Sequence, residues 1–298
     1  MAGRDDGAST RIGSGAEPVA VICGGGRLPG EVIAAARDAG RRVVVIAIKG
    51  EADPSIDAFA PTWLGFGQIG KLSDLLMREN CRDLVMIGGI TKRPEMREII
   101  GDLGTMRRLP RIIAALAGGD DSLLTKVIRL FEDDGFRVIG AHRIAPSLLA
   151  LPGALVGAAP RGDVAADLAL AAQAVAELGR LDIGQAAVSV GRRVIAVEGA
   201  EGTDAMLARC AELRRIRRVR GTGGVLVKCA KPGQDLRVDL PTIGPDTVAG
   251  CVEAGLSGIG IQAGRVLIAE RARTEAAARE HGLFLFGLDR ATATENAS

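Results

Sequence analysis

Two short apolar runs near the start of the chain, Pro18 to Cys23 (PVAVIC) and Arg42 to Ile48 (RVVVIAI), frame three consecutive glycines and an amphipathic segment. A continuous apolar run of this length, without alternation, marks a strand buried on both faces. Gly24, Gly25 and Gly26 follow the first run at once, and Arg27, Leu28 and Pro29 then open a helix reaching about Ala39. The opening is therefore a strand-loop-helix-strand unit, and it commits the chain to an α/β architecture. A glycine loop between a strand and a helix N-terminus leaves amides pointing outward with no Cβ in the way, which suits an anion. Its spacing is not the dinucleotide fingerprint, because Pro29 stands where the third glycine belongs. We read it as a phosphate or nucleotide cradle; the simpler alternative is a tight turn that uses glycine for positive φ.

The same grammar continues to about His142. Asp83 to Ile87 is a third strand, ending in Gly88 and Gly89 and then Lys92, Arg93 and Pro94. Glycines again sit at the carboxyl end of a strand, where open α/β sheets bind ligands. Helices are expected over 109–117 and 122–134, with Asp120 and Asp121 before the second as capping carboxylates rather than metal ligands. A last strand covers 136–139. Gly65 to Gly70 (GFGQIG) matches the dinucleotide motif by letters, but Ala60-Pro61-Thr62-Trp63 before it is a poor strand context. It is read as a loop capping a helix over 71–80. Residues 18–144 thus form a Rossmann-like, doubly wound nucleotide-binding domain. Residues 1–17 read as a disordered polar tail without a signal-peptide core. Residues 145–163, rich in Pro, Gly and Ala, read as a linker.

A second α/β domain, residues 164–298, opens on a helix over 164–178. The runs 186–190 and 193–198, separated by Gly191 and Arg192, read as a hairpin with a type II′ turn. Thr203 is placed to N-cap a helix over 204–215, with Asp204 in its first turn and Gly202 beside the free amides. Arg214, Arg215, Arg217, Arg218 and Arg220 close that helix, as a solvated basic end or as a contact for anionic lipid. From Val225 the chain reads VLVKCAKPGQDLRVDLPTIGPDT. Asp235 to Leu240 alternate strictly, as a strand does. That would put Leu236, Val238 and Leu240 on one face and Asp235, Arg237 and Asp239 on the other. A helix over 246–254, strands over 258–262 and 265–268, a helix over 271–281 and a strand over 283–288 complete the domain.

Composition excludes several functions. Aromatics make up 2% of the 298 residues, Tyr is absent, and the formal net charge is +2. Nucleic-acid binding, which uses stacking rings or a basic field, is disfavoured. The five cysteines are scattered without a Cys-x-x-Cys pair and read as buried residues of a reducing compartment. No run approaches the ~18 apolar residues of a membrane span, so a cytoplasmic setting is expected. The two histidines have no triad or metal partner, and no serine lies in a G-x-S-x-G elbow. What remains is phosphate chemistry: glycine loops, the cations Lys228, Lys231 and Arg237, and the carboxylates Glu201, Asp204, Asp235 and Asp239. Mg²⁺ binds through one or two carboxylates plus substrate phosphates, and cleaving a diphosphate needs positioning, neutralised charge and an oriented water. The residues alone do not identify a substrate. A nucleotide-sugar or lipid binding module without turnover, and a Rossmann-type oxidoreductase, stay open beside a hydrolase.

The segments Ile22 to Pro29 (ICGGGRLP), Leu181 to Gln185 (LDIGQ), Glu198 to Leu207 (EGAEGTDAML) and Lys231 to Gly244 (KPGQDLRVDLPTIG) together resemble the LpxI-type UDP-2,3-diacylglucosamine pyrophosphatases. The likeness runs from about Val19 to Gly287; Cys23 and Cys229 stand where the family pattern is expected to carry small apolar residues. The resemblance implies hydrolysis of UDP-2,3-diacylglucosamine to UMP and 2,3-diacylglucosamine 1-phosphate (lipid X) in lipid A synthesis. It also implies Mg²⁺ as cofactor, a site between two domains, and water attacking the sugar-side phosphorus. By position, Asp239 is the catalytic aspartate, as metal ligand or water-orienting group, with Glu201 and Asp204 completing the catalytic and metal-binding acidic side. Substrate contacts are expected from Gly24, Gly25, Gly26, Gly88, Gly89, Gln185, Gly202, Thr203, Lys228, Lys231, Gln234, Arg237 and Thr242. The implied partner is the lipid-linked UDP-sugar; the lipid product and the Arg214 to Arg220 cluster add a peripheral contact with the cytoplasmic face of the inner membrane as an expectation, and a homodimer is expected beside it.

Overall fold

Strand β1 (Val19–Cys23), buried at every residue, lies at the centre of the first sheet, and β2 (Val43–Ile48) runs parallel beside it. Helix α1 (Leu28–Asp38) crosses between them, burying Leu28, Val32, Ile33 and Ala36 at helical spacing, as the sequence requires. This is a computed structural model, and it describes residues 17–91, Thr105 and 120–289. The expected tail (but for Glu17), the helix over 109–117, and Lys92, Arg93 and Pro94 lie outside the described residues. Strand β3 (Thr62–Leu64), helix α2 (Ile69–Arg78), strand β4 (Asp83–Ile87), helix α3 (Asp120–Asp133) and strand β5 (Arg137–Val138) follow. The five strands are all parallel in the order β3-β2-β1-β4-β5. That is the Rossmann-like order, and its direction of growth reverses between β1 and β4.

Two expectations for this unit are corrected. Thr62 to Leu64 is a strand after all, paired with Ile46 to Ile48, so Gly65 to Gly70 does join a strand to a helix. An edge strand of three residues needs little apolar sequence, which is why Pro61 and Trp63 concealed it. The loop is filled from within: Thr105 Oγ1 accepts from Ile69 N at 3.0 Å and donates to the Gly67 carbonyl at 2.9 Å. Second, α3 begins at Asp120, so Asp120 and Asp121 lie inside its first turn rather than ahead of it.

Close contacts divide the chain into two units; the second takes over at Gly140 and also includes the start of α3, as far as Lys126. In the second unit, helix α4 (Ala141–Ile144) and a short 3-10 turn lead into strand β6 (Gly153–Val156). Residues 145–163, read from sequence as a linker, therefore hold an edge strand of the second sheet, antiparallel to its last strand. Only four residues long and bounded by glycine and proline, β6 carries no visible period. Helix α5 (Gly162–Arg180) is followed by the antiparallel pair β7 (Ala186–Ser189) and β8 (Val194–Val197). Gly191 and Arg192 both have positive φ, 58° and 60°, so the turn is type I′ and not II′. Then come α6 (Gly202–Arg215), β9 (Val225–Lys228), β10 (Thr242–Ile243), α7 (Pro245–Glu253), β11 (Gly258–Gln262), β12 (Leu267–Ile268), α8 (Arg271–Glu280) and β13 (Phe284–Leu288). The six-stranded sheet runs β6-β13-β11-β9-β7-β8, and β10 and β12 pair separately.

The two-residue period of β9 sorts its neighbours. Val225 and Val227 pack with Leu168, Ala171 and Val175 of α5, whereas Leu226 joins Met206, Leu207 and Cys210 of α6 and Val248 of α7. Each such buried aliphatic side chain contributes about 1.5–3 kcal/mol. Lys228, two residues past Leu226, therefore emerges on the α6 side, at the carboxyl end of the strand.

Candidate active site

Asp235 to Leu240 does not form the expected strand. Val238 N and Asp239 N both bond to the Asp235 carbonyl, at 3.2 and 3.1 Å, and wind the segment into a turn. The reason is local: the Asp235 carboxylate accepts from Arg237 N at 3.0 Å and from its guanidinium at 2.7 to 3.2 Å. An Asp bonding its own chain two residues on competes with a ladder and wins where no strand lies alongside. Burial alone would raise the Asp235 pKa, but its bonds to Arg237 outweigh burial and lower it. Asp235 and Arg237 are thus mainly occupied with each other, and the turn they stabilise presents Asp239.

Lys228 is the centre of the site. It is 8% exposed, and its Nζ donates to Thr203 Oγ1 at 2.8 Å; the Thr203 hydroxyl in turn donates to Glu198 Oε2 at 2.8 Å. Burial lowers the Lys228 pKa below its ordinary 10.5, and Glu198, Asp204 and Asp239 act in the opposite direction. One buried ammonium is therefore bridged through Thr203 to Glu198 and feels the charges of Asp204 and Asp239. Gln234 Nε2 donates to Asp239 Oδ2 and approaches Gln185 Oε1 at 3.5 Å, while Gln234 Oε1 accepts from Lys231 N at 2.9 Å. Lys231 Nζ pairs with Asp182 at 2.6 Å. Thr242 Oγ1 donates to the Leu240 carbonyl at 3.2 Å and closes the segment at the start of β10.

Of the acidic set, Asp204 and Asp239 act on the charge of Lys228, and Glu201 is not among the groups that do. Glu201 is exposed, precedes α6 as its N-cap without a side-chain bond, and pairs with Arg209 at 3.0 Å. Helix α6 begins at Gly202, so Thr203 is inside the helix rather than its cap, and its hydroxyl is free to bridge Glu198 and Lys228. Glu198 is the residue sequence reasoning passed over. Its amide bonds to the Ala186 carbonyl, and Ala186 lies opposite Lys228, so register aligns the three across neighbouring strands. The irregularity between Val188 and Ser189 sets that register, and no letter in the sequence announces it. A Cβ on Gly140 would meet the His142 ring at 2.3 Å and the Leu236 carbonyl at 3.2 Å, so His142 lies beside the segment that carries Asp239. Burial lowers the His142 pKa.

The first unit brings its predicted glycines together as well. Gly25 N bonds to Gly89 O at 2.8 Å and Gly89 N to Gly25 O at 3.0 Å, while Gly24 N bonds to Ile87 O at 2.9 Å. These amides hold the ends of β1 and β4 to each other, at the point where the strand order reverses. Gly24 is required by contact, because a Cβ there would stand 2.5 Å from the Gly89 carbonyl oxygen. Gly26, with φ 86° and open space around it, is the glycine left facing outward.

The LpxI N-terminal domain family matches residues 18–148 and the LpxI C-terminal domain family residues 152–286. A protein of Caulobacter vibrioides named UDP-2,3-diacylglucosamine pyrophosphatase LpxI is 41% identical over 271 residues, covering 90% of this chain and 96% of that protein. The chain belongs to the LpxI family. Both glycine loops fall in the N-terminal match, and the cluster around Lys228 falls in the C-terminal one. Among the described residues no group of three or more His, Cys, Asp or Glu is arranged to hold a metal.

The basic end of α6 is partly committed. Arg214 donates to the Gly221 and Gly223 carbonyls and Arg215 pairs with Glu212 at 2.6 Å, which leaves exposed Arg217, Arg218 and Arg220 beside Ile216, 50% exposed. No described helix is long and apolar enough to cross a membrane. The described cysteines are all buried and free, and burial pushes the Cys23 and Cys229 thiols up to about 12, which makes them inert.

Proposed function

We propose that this protein hydrolyses the diphosphate of UDP-2,3-diacylglucosamine, releasing UMP and 2,3-diacylglucosamine 1-phosphate, as a step of lipid A synthesis. The observation that carries the reading is the buried Lys228 ammonium, bridged by Thr203 to Glu198 of one of the two most specific LpxI motifs and three residues before the other. In this account Lys228, held by Thr203, neutralises charge on the diphosphate, where a desolvated cation acts most strongly. Asp239, oriented by Gln234, positions the attacking water and takes up its proton. The water oxygen bonds to the sugar-side phosphorus, the bond from that phosphorus to the bridging oxygen breaks, and UMP departs with the bridging oxygen. Asp204, with Asp239, would hold Mg²⁺, which would supply further withdrawal of charge from the diphosphate. In the first unit the glycine loops, chiefly Gly26, are our candidates for nucleotide contacts; in the second unit Gln185, Gly202 and Lys231 are our candidates around the Lys228 cluster.

We place the enzyme in the cytoplasm, touching the inner membrane peripherally through Arg217, Arg218, Arg220 and Ile216, since its substrate and product are lipids. Incubation with UDP-2,3-diacylglucosamine and Mg²⁺ should release UMP, and a chelator should stop it. Absence of UMP, or turnover indifferent to the chelator, overturns the reading. Binding to anionic vesicles should weaken with salt; no binding at low salt removes the membrane contact alone.

A further inference from the structure

We propose that Glu51 reads the ribose of the bound nucleotide, accepting a hydrogen bond from a nucleoside hydroxyl at the switch point of the first sheet. The inference rests on the reading of the glycine loops as a nucleotide site. Glu51 follows β2 through a tight turn in which its amide bonds to the Ile48 carbonyl at 3.1 Å. That turn brings it against the first loop, where a Cβ on Gly25 would stand 3.1 Å from the Glu51 carbonyl oxygen. Its side chain reaches the second loop: Oε2 accepts from Thr91 N at 2.6 Å and from Thr91 Oγ1 at 2.9 Å, just past Gly88 and Gly89. One residue therefore joins the ends of β1, β2 and β4, where a doubly wound sheet opens its ligand crevice.

The other oxygen, Oε1, is buried with no partner, in a residue only 7% exposed. Leaving a buried carboxyl oxygen without a donor is costly. Among the described residues neither a lysine nor an arginine pairs with it, and a hydroxyl donor from a bound ligand would satisfy it. The 2′- and 3′-hydroxyls of a nucleoside are such donors, and an acidic residue some 20 positions beyond a glycine loop takes that role in dinucleotide sites. Glu51 stands roughly 25 positions beyond Gly26. If Glu51 only fastened the Thr91 loop, the turn would be complete with Oε2 alone.

Calorimetric titration of the full chain with UMP, 2′-deoxy-UMP and 2′,3′-dideoxy-UMP tests this. The wild type should prefer UMP over the dideoxy nucleotide by about tenfold or more, the scale of a hydrogen bond to a charged group. Glu51→Ala should lose that factor for UMP and less than about threefold for the dideoxy nucleotide, so the preference collapses. Equal losses for both nucleotides, or a preference unchanged from wild type, overturn the assignment while leaving the nucleotide site standing. No binding of UMP by the wild type overturns the site and the assignment together. If Glu51→Ala does not fold, Glu51→Gln keeps an acceptor for Thr91 and should still reduce the preference at least threefold; an undiminished preference refutes the role.

Discussion

Replacing Thr203 with Val tests whether its hydroxyl holds the buried lysine. The change keeps the shape of the side chain but removes both the bond from Lys228 Nζ and the bond to Glu198 Oε2, each 2.8 Å. Hydrogen bonds to charged groups contribute about 1.5–3 kcal/mol each, which sets an upper range of about 3–6 kcal/mol. Thr203 itself is only half-buried, and water can replace part of what is lost. We therefore expect a loss of about 2–3 kcal/mol. Thr203→Ser keeps the hydroxyl and should stay within about 1 kcal/mol of wild type. Urea unfolding followed by circular dichroism measures both, with the slope required to stay constant. A shift of about 1 kcal/mol is expected to move the midpoint of thermal unfolding by roughly 2–4 °C, so the Val variant should melt about 4–12 °C lower. Equal stabilities for the Ser and Val variants would refute the bridge, because only the hydroxyl distinguishes their polar chemistry.

Other outcomes follow from the same geometry. Gly24→Ala should cost at least about 2 kcal/mol, since its Cβ would stand 2.5 Å from a backbone oxygen that cannot move aside. Gly26→Ala, which meets only the penalty of positive φ in open space, should cost about 1 kcal/mol; the reverse order in denaturant titrations contradicts the packing described. Because burial lowers the Lys228 pKa, the unfolded chain binds the extra proton between that lowered value and 10.5. In that window stability should rise with pH. Lys228→Met should lose that part of the rise, and identical pH slopes in the two proteins would mean the ammonium is not desolvated.

The parallel sheet of the first unit was legible because unbroken apolar runs such as Val19–Cys23 have few other uses in a protein of this composition. The motif residues around Asp239 were legible too, but their shape was not. Alternation from Asp235 to Leu240 has the period of a strand, yet a strand also needs a neighbour, and a carboxylate that bonds to Arg237 closes a turn instead. Glu198 escaped notice for a similar reason: its place beside Lys228 depends on a one-residue shift between β7 and β8. Glu201 stands in the same motif as Asp204 and is turned toward Arg209. Adjacent letters in a loop do not fix which carboxylates converge; the helix start at Gly202 does.

The central claim is that the turn carrying Asp239 and the ammonium of Lys228 together cleave a diphosphate. The most direct measurement is UMP released from UDP-2,3-diacylglucosamine by wild type and by Asp239→Ala, at equal concentration with Mg²⁺, with UMP affinity and unfolding measured in parallel. The account predicts that the variant folds, binds UMP as the wild type does, and loses at least about a hundredfold in turnover. A folded Asp239→Ala protein that releases UMP at the wild-type rate would contradict it.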